Sequence, residues 1–221
     1  MKYKVLLFDL DGTLTNPKTG ITRSVQYALN AYGIQVEDPD TLTPFIGPPL
    51  HKGFQQFYGF DEAESFRVVD KFREYFAVTV IFENELFEPV PSLLQQLKDQ
   101  GYKLAIATSK PTVYAERITL HFDIAHFFEH IYGSNMDGSR TDKSEIIAAA
   151  LQDFTEYERS EFLMIGDREH DIVGARKQDI DSIGVLWGFG DEAELLEKQP
   201  TYLAREVFDI LDILQNEPVC S

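Results

Sequence analysis

Two aspartates, Asp9 and Asp11, stand one residue apart directly after the short apolar run Val5-Leu6-Leu7-Phe8. In extended backbone, positions i and i+2 project to the same side, so both carboxylates can face one reacting centre. Gly12 then permits a tight turn out of the strand, and Thr13 can hydrogen-bond locally. A second acidic group, Gly166-Asp167-Arg168-Glu169-His170-Asp171, follows another apolar run at residues 162–165. Packing such acids together without a cation is strongly repulsive. Hard oxygen ligands of this type suit Mg²⁺, which keeps several waters and takes a substrate phosphate oxygen. Taken alone, Asp167 and Asp171 read better as caps of the following helix, since aspartate is a favoured N-cap residue.

Other strand ends supply what a phosphoryl group needs. After the apolar run at 104–107 comes Thr108-Ser109-Lys110, two hydroxyls and a cation. Lys143, within Thr141-Asp142-Lys143-Ser144, stands just before a helical stripe. Singly, each is a cap or a solvated charge. The weight lies in all of them arriving, in order, at successive strand–helix junctions.

The elements that must position these groups follow from hydrophobic pattern. Runs at 5–8, 104–107, 130–132, 162–165 and 183–187 are short and continuously apolar, the habit of parallel strands buried on both faces. Helical patterns separate them. Leu93, Leu94 and Leu97 follow Pro91 and stop at Gly101; Ile146, Ile147, Ala150, Leu151 and Phe154 repeat at helical period; Val207, Ile210, Leu211 and Leu214 mark a last helix. The alternation predicts a doubly wound α/β sheet. Between the first strand and Pro91 the pattern is helical instead: Ile21, Val25, Ala28, Leu29 and Tyr32; then Leu50, Phe54, Phe57 and Tyr58; then Phe66, Val69, Phe72 and Phe76. Asp61 and Glu64 form a capping-box-like start to the third stripe. The expected division is therefore a core of residues 1–15 and 85–221 with a helical insert over 16–84, whose aromatics pack its own interior. Residues 39–49, with Pro44 and Pro48, are the expected irregular loop.

Composition bounds the rest. The chain has 221 residues, 43% hydrophobic and 26% charged, enough for a substantial core without disulfides. A net charge of −17 argues against nucleic acid and anionic membrane as partners, which reward clustered Lys and Arg. The single cysteine, Cys220, cannot form an internal disulfide and suits a reducing cytoplasm. No secretory or membrane-spanning pattern is present. The expected location is cytoplasmic, and the expected protein a monomer or homodimer acting on a small phosphorylated metabolite.

The ordered set resembles the haloacid dehalogenase-like hydrolase superfamily, from Val5 to about Leu196. Asp9-Leu10-Asp11-Gly12-Thr13 is similar to its DxDGT motif, Thr108 to the Thr or Ser of its second motif, Lys143 to its third, and Gly166-Asp167 with Asp171 to its GDxxxD motif. The helical insert lies where this family carries an α-helical cap. The resemblance implies that Asp9 attacks phosphorus to form an aspartyl-phosphate, and that Asp11 serves as acid and then base. It implies a Mg²⁺ held by Asp9, the Asp11 backbone carbonyl, Asp167 and Asp171, with Thr108, Ser109 and Lys143 on the phosphoryl oxygens. Gly47, Pro48 and Pro49 resemble the specificity loop that the family lowers over the leaving group.

Asp11 favours a phosphomonoesterase or phosphomutase over dehalogenases and phosphonate-cleaving members, which lack that acid. The segments 132–140 and 166–175 resemble bacterial members described as 5′-nucleotidases, and Ser144 replaces the proline that often follows the lysine in phosphoglycolate phosphatases. The preferred reading is a nucleoside 5′-monophosphate phosphatase. Its alternatives are a phosphoglycolate phosphatase, a sugar phosphomutase and, from another class, a non-hydrolytic phospho-switch or binding protein.

Overall fold

The computed structural model describes residues 1–216, and Cys220 lies outside them. Strand β1 (Val5–Phe8) is apolar and buried throughout. Its side chains alternate between two cores. Leu6 and Phe8 join Leu93, Leu97 and Ile118 on one face, while Val5 and Leu7 join Ile146, Ile147 and Ala150 on the other. Helices thus cover both faces, which is why the strand carries no polar residue.

From β1 the chain passes through β2 (Thr15–Asn16), α1 (Lys18–Ala31), a 3-10 segment (Pro39–Phe45), α2 (Leu50–Tyr58) and α3 (Glu62–Tyr75). A π-helical turn (Phe76–Val80), β3 (Glu85–Leu86) and α4 (Val90–Asp99) come next. The remainder alternates: β4 (Lys103–Pro111), α5 (Thr112–His121), β5 (His130–Ser134), α6 (Lys143–Asp153), β6 (Phe162–Gly166), α7 (Glu169–Lys177) and β7 (Asp181–Val185). It closes with α8 (Glu192–Glu197), β8 (Tyr202–Ala204) and α9 (Asp209–Gln215).

Six strands form one parallel sheet ordered β5-β4-β1-β6-β7-β8. The order reverses about β1. In open α/β sheets the crevice beyond the carboxyl ends at such a switch point is where ligands bind. The doubly wound sheet is as expected, with one strand more than the apolar runs predict. Strand β8 has only three residues, two of them half-buried, so it carries no continuous apolar signal. Two further differences have local causes. Strand β4 continues past Ala107 through a register irregularity to Pro111, so Thr108, Ser109 and Lys110 lie on the strand's own extension. Strand β7 stops at Val185, leaving Trp187 free to donate from Nε1 to the Thr13 carbonyl at 3.1 Å.

All elements between β2 and β3 are helical. Helix α3 opens with a capping box: Asp61 Oδ1 accepts from the Glu64 amide at 2.7 Å, and Glu64 accepts in return from the Asp61 amide. The expected irregular loop at 39–49 contains a 3-10 segment instead, begun by Pro39 and by Asp38, whose side chain accepts from the Asp40 amide at 3.0 Å. Val207 precedes α9 and is not part of it. The short strands β2 and β3 pair antiparallel, Thr15 with Leu86 and Asn16 with Glu85, so the chain leaves and re-enters the sheet region side by side. Among the described residues no helix is long and apolar enough to cross a membrane.

Candidate active site

Register alone gathers the acids. Phe8 pairs with Ile106 on one side and Ile165 on the other, so the chain positions just beyond them, Asp9, Thr108 and Asp167, fall at neighbouring strand ends. The Asp9 amide still donates to the Ile165 carbonyl at 2.9 Å, holding it to the sheet. Asp9 Oδ1 accepts from the Leu10 amide at 2.8 Å and lies 3.0 Å from Lys143 Nζ, while Oδ2 has no hydrogen bond among the described residues. Lys143 opens α6, and its buried ammonium also meets Asp171 Oδ1 at 2.8 Å and donates to the Ala107 carbonyl at 2.9 Å. Burial alone pushes that ammonium's pKa down, but Asp171 and Asp9 outweigh it and hold the value above the ordinary lysine range.

Asp167, like Asp171, is fully buried. Its Oδ1 accepts from Thr13 Oγ1 at 3.2 Å and its Oδ2 from the Phe189 amide at 2.8 Å. Backbone crowds it closely: a Cβ on Gly12, which sits at φ +87°, would lie 2.2 Å from Asp167 Oδ2. Burial, with Asp9 and Asp171 alongside, pushes the Asp167 carboxyl up to about 8, and Asp171 is raised for the same reasons despite Lys143. Asp9, Asp167 and Asp171 each offer an oxygen within 4.8 Å of the others. Three buried carboxylates answered by one ammonium leave negative charge that a small hard cation would neutralise, and an all-oxygen donor set suits Mg²⁺. The residues fit that ion.

Asp11 stands apart from this trio. Its Oδ2 meets Lys110 Nζ at 2.8 Å, and its buried Oδ1 has no hydrogen-bond partner among the described residues. Burial raises its pKa against the pull of Lys110. Lys110 in turn lies 4.7 Å from the centroid of the Phe76 ring. Asp9, Asp11, Thr108, Ser109 and Lys110 form one side of a cleft, and Gly47, Pro48 and Pro49 line it from the helical side. Phe45, Phe66, Val69, Phe72, Phe76 and His51 complete that apolar wall. His51 stacks on Phe66 at 4.9 Å, and burial lowers its pKa so that its ring is neutral near pH 7. Lys143, Asp167 and Asp171 lie behind Asp9 and do not line the cleft.

The sequence pattern of the family described as haloacid dehalogenase-like hydrolase matches residues 6–185. The chain belongs to that family. Among its relatives is a Pseudomonas aeruginosa protein named 5′-nucleotidase, 46% identical over 98% of this chain and 97% of that one. A Mycobacterium tuberculosis protein named tyrosine-protein kinase PtkA is 37% identical over 90% of this chain and 67% of that one. A crystal structure described as a predicted phosphatase from Clostridium acetobutylicum superposes with a TM-score of 0.94 at 42% identity, covering 97% of this chain and 100% of that one. The chain is accordingly a haloacid dehalogenase-like phosphatase, a hydrolase.

Within this haloacid dehalogenase-like site, the residues singled out from sequence divide into two sets. Asp9, Asp11, Thr108, Ser109, Gly47, Pro48 and Pro49 meet at the cleft; Lys143, Asp167 and Asp171 support it from behind. Three cleft residues carry no motif and escape sequence reasoning, His51, Arg73 and Tyr114, while Asn135 falls within the 132–140 segment singled out above. Lys110 was visible only as a cation two positions after Thr108. The stripe Phe66, Val69, Phe72 and Phe76 was legible as a helix face, but its period cannot say that this face borders the cleft.

Proposed function

We propose that this phosphatase is Mg²⁺-dependent and hydrolyses nucleoside 5′-monophosphates through an aspartyl-phosphate on Asp9. Asp9 Oδ2 attacks phosphorus, the bond from phosphorus to the leaving oxygen breaks, and Asp11 gives that oxygen a proton. Water then attacks the phosphoryl group, Asp11 takes the proton back, and the bond to Asp9 breaks to release inorganic phosphate. The raised pKa of Asp11 supports the acid half of this role. Lys143 and the Leu10 amide hold Asp9 Oδ1, which orients the carboxylate. Thr108 and Ser109 supply hydroxyls to phosphoryl oxygens. Asp9, Asp167, Asp171 and the Asp11 carbonyl would hold Mg²⁺, which when bound offsets charge on the transferring group. Residues 16–84 act as the cap over the leaving group, and sparing cysteine use supports a cytoplasmic setting.

The substrate class rests on one observation, the chemistry of the wall facing Asp9. Phe45, Phe66, Phe72, Phe76 and a neutral His51 suit the face of a nucleobase. A second anionic group, as in phosphoglycolate, needs a spare cation there. Both cleft cations are engaged: Lys110 with Asp11, and Arg73 with the Met136 carbonyl at 2.8 Å. The test is phosphate release, with and without Mg²⁺, from nucleoside 5′-monophosphates, phosphoglycolate and hexose phosphates. The expected result is highest kcat/KM for a nucleotide, abolished in Asp9→Asn. Preference for phosphoglycolate, or an isomerised sugar phosphate in place of free phosphate, would overturn the assignment.

A further inference from the structure

Arg168 lies between two acids of the buried cluster, yet its side chain turns away from them. Its Nε donates to Glu194 Oε1 on α8 at 2.9 Å, and its Nη1 donates to the carbonyl of Ile46, at the start of the Gly47-Pro48-Pro49 loop. The loop also rests on the arginine stem: Gly47 sits at φ +104°, and a Cβ there would lie 2.8 Å from Arg168 Cγ. Glu194 Oε1 accepts a second bond, from the Glu169 amide at 2.9 Å in the first turn of α7. The backbone of Arg168 is itself bound to Asp171 Oδ2 at 3.1 Å. A continuous set of hydrogen bonds therefore joins the loop over the cleft to the helix that carries Asp171. The tie is mostly dry, with side chains of Arg168 and Glu194 only 14% and 24% exposed. Ile46 is fully buried, so its carbonyl would be costly to leave unpaired.

We propose that Arg168 is a positioning residue that fixes the Gly47-Pro48-Pro49 loop at the height needed to enclose a large leaving group, and so sets substrate size preference. The inference rests on the reading that this loop encloses the leaving group. Arginine suits the task because one planar fork reaches Glu194 and the Ile46 carbonyl together, which a lysine cannot do. Arg168 does not itself line the cleft and has no hydrogen bond or ion pair to Asp9, Asp11 or Thr108 among the described residues.

The test uses Arg168→Met and Arg168→Lys in the full chain, with two readouts. The first is amide hydrogen exchange over residues 46–53 without substrate. The second is the ratio of kcat/KM for a nucleoside 5′-monophosphate to that for acetyl phosphate, whose leaving group is too small to need the loop. In Arg168→Met the expected result is at least tenfold faster exchange in that segment and at least a tenfold fall in the ratio, carried by KM. Arg168→Lys, which keeps the stem and the charge, is expected to lie between Met and the parent and serves if the Met variant does not fold. Glu194→Gln is expected to act in the same direction with a smaller effect. Unchanged exchange, or equal loss on both compounds, overturns the proposal. If the parent hydrolyses neither compound, the proposed function fails, while the exchange measurement still decides the tie.

Discussion

The two sides of the cleft are built on opposite principles. On the sheet side, Asp9, Asp167, Asp171 and Lys143 are buried ionisable groups, each set by strand register, a backbone amide or a glycine contact. On the helical side, the wall is aromatic, and its contacts with the sheet side include Arg168 with Ile46, Arg73 with Met136, Phe66 beside Gly138, and Phe76 with Lys110 and Tyr114. Buried charges tolerate little displacement, because their energies change steeply with distance in a dry site. Stacked rings tolerate much more. Under the proposed function, the sheet side would fix which bond is broken and the helical side which leaving group is taken.

That contrast can be tested by unequal damage. The largest effect is expected from Asp9→Asn, which should lower kcat by roughly 10⁴-fold or more with every substrate, as loss of a nucleophile does. Lys143→Met leaves two buried carboxylates unanswered and should cost about 3–5 kcal/mol in denaturant unfolding of the metal-free protein. Added Mg²⁺ at one hundred times its Kd should restore about 2.7 kcal/mol to the parent. The parent without metal should also lose stability as pH rises from about 4 toward 8. The folded pKa of Asp167 is pushed up to about 8, so the folded state holds a proton that the unfolded chain releases near pH 4. Stability from that proton is complete below pH 4 and gone above 8, and Mg²⁺ should flatten the slope.

On the helical side the expected effects are smaller and selective. Phe66→Ala should raise KM for a nucleotide by up to about tenfold, the value of one stacking contact, and raise it less for acetyl phosphate. Equal loss on both would make the aromatic wall part of the chemistry and break the contrast. Asp61→Ala, which removes the capping box of α3, should cost about 1 kcal/mol in thermal unfolding and leave kcat unmoved.

The sequence made the sheet side readable because its chemistry is tied to strand ends. Asp9 and Asp11 follow a run of four buried residues, and Asp167 follows another, so position along the chain translates directly into position in space. Paired strands keep that translation simple. Lys143 was readable as a residue opening a helix, though its location behind Asp9 was not. The aromatic wall was hidden for a physical reason. A helical stripe reports only that one face is apolar, and packing inside an insert or across a cleft satisfies it equally. Arg168 was hidden more thoroughly, since its partners lie 122 and 26 residues away along the chain. Strand β8 escaped because three residues, two of them half-buried, cannot establish a period.

The paired strands β2 and β3 carry one more consequence. With Thr15 beside Leu86 and Asn16 beside Glu85, everything from residue 17 to 84 is, in topological terms, a single excursion closed by a two-rung ladder. Closing a longer excursion costs only about 0.6 kcal/mol more for each doubling of its length. The sheet can therefore accept a shorter, longer or unrelated excursion at this doorway without rethreading any strand. On the proposed reading of residues 16–84 as a cap, the sheet would be a socket for interchangeable recognition modules, with its own acids left untouched.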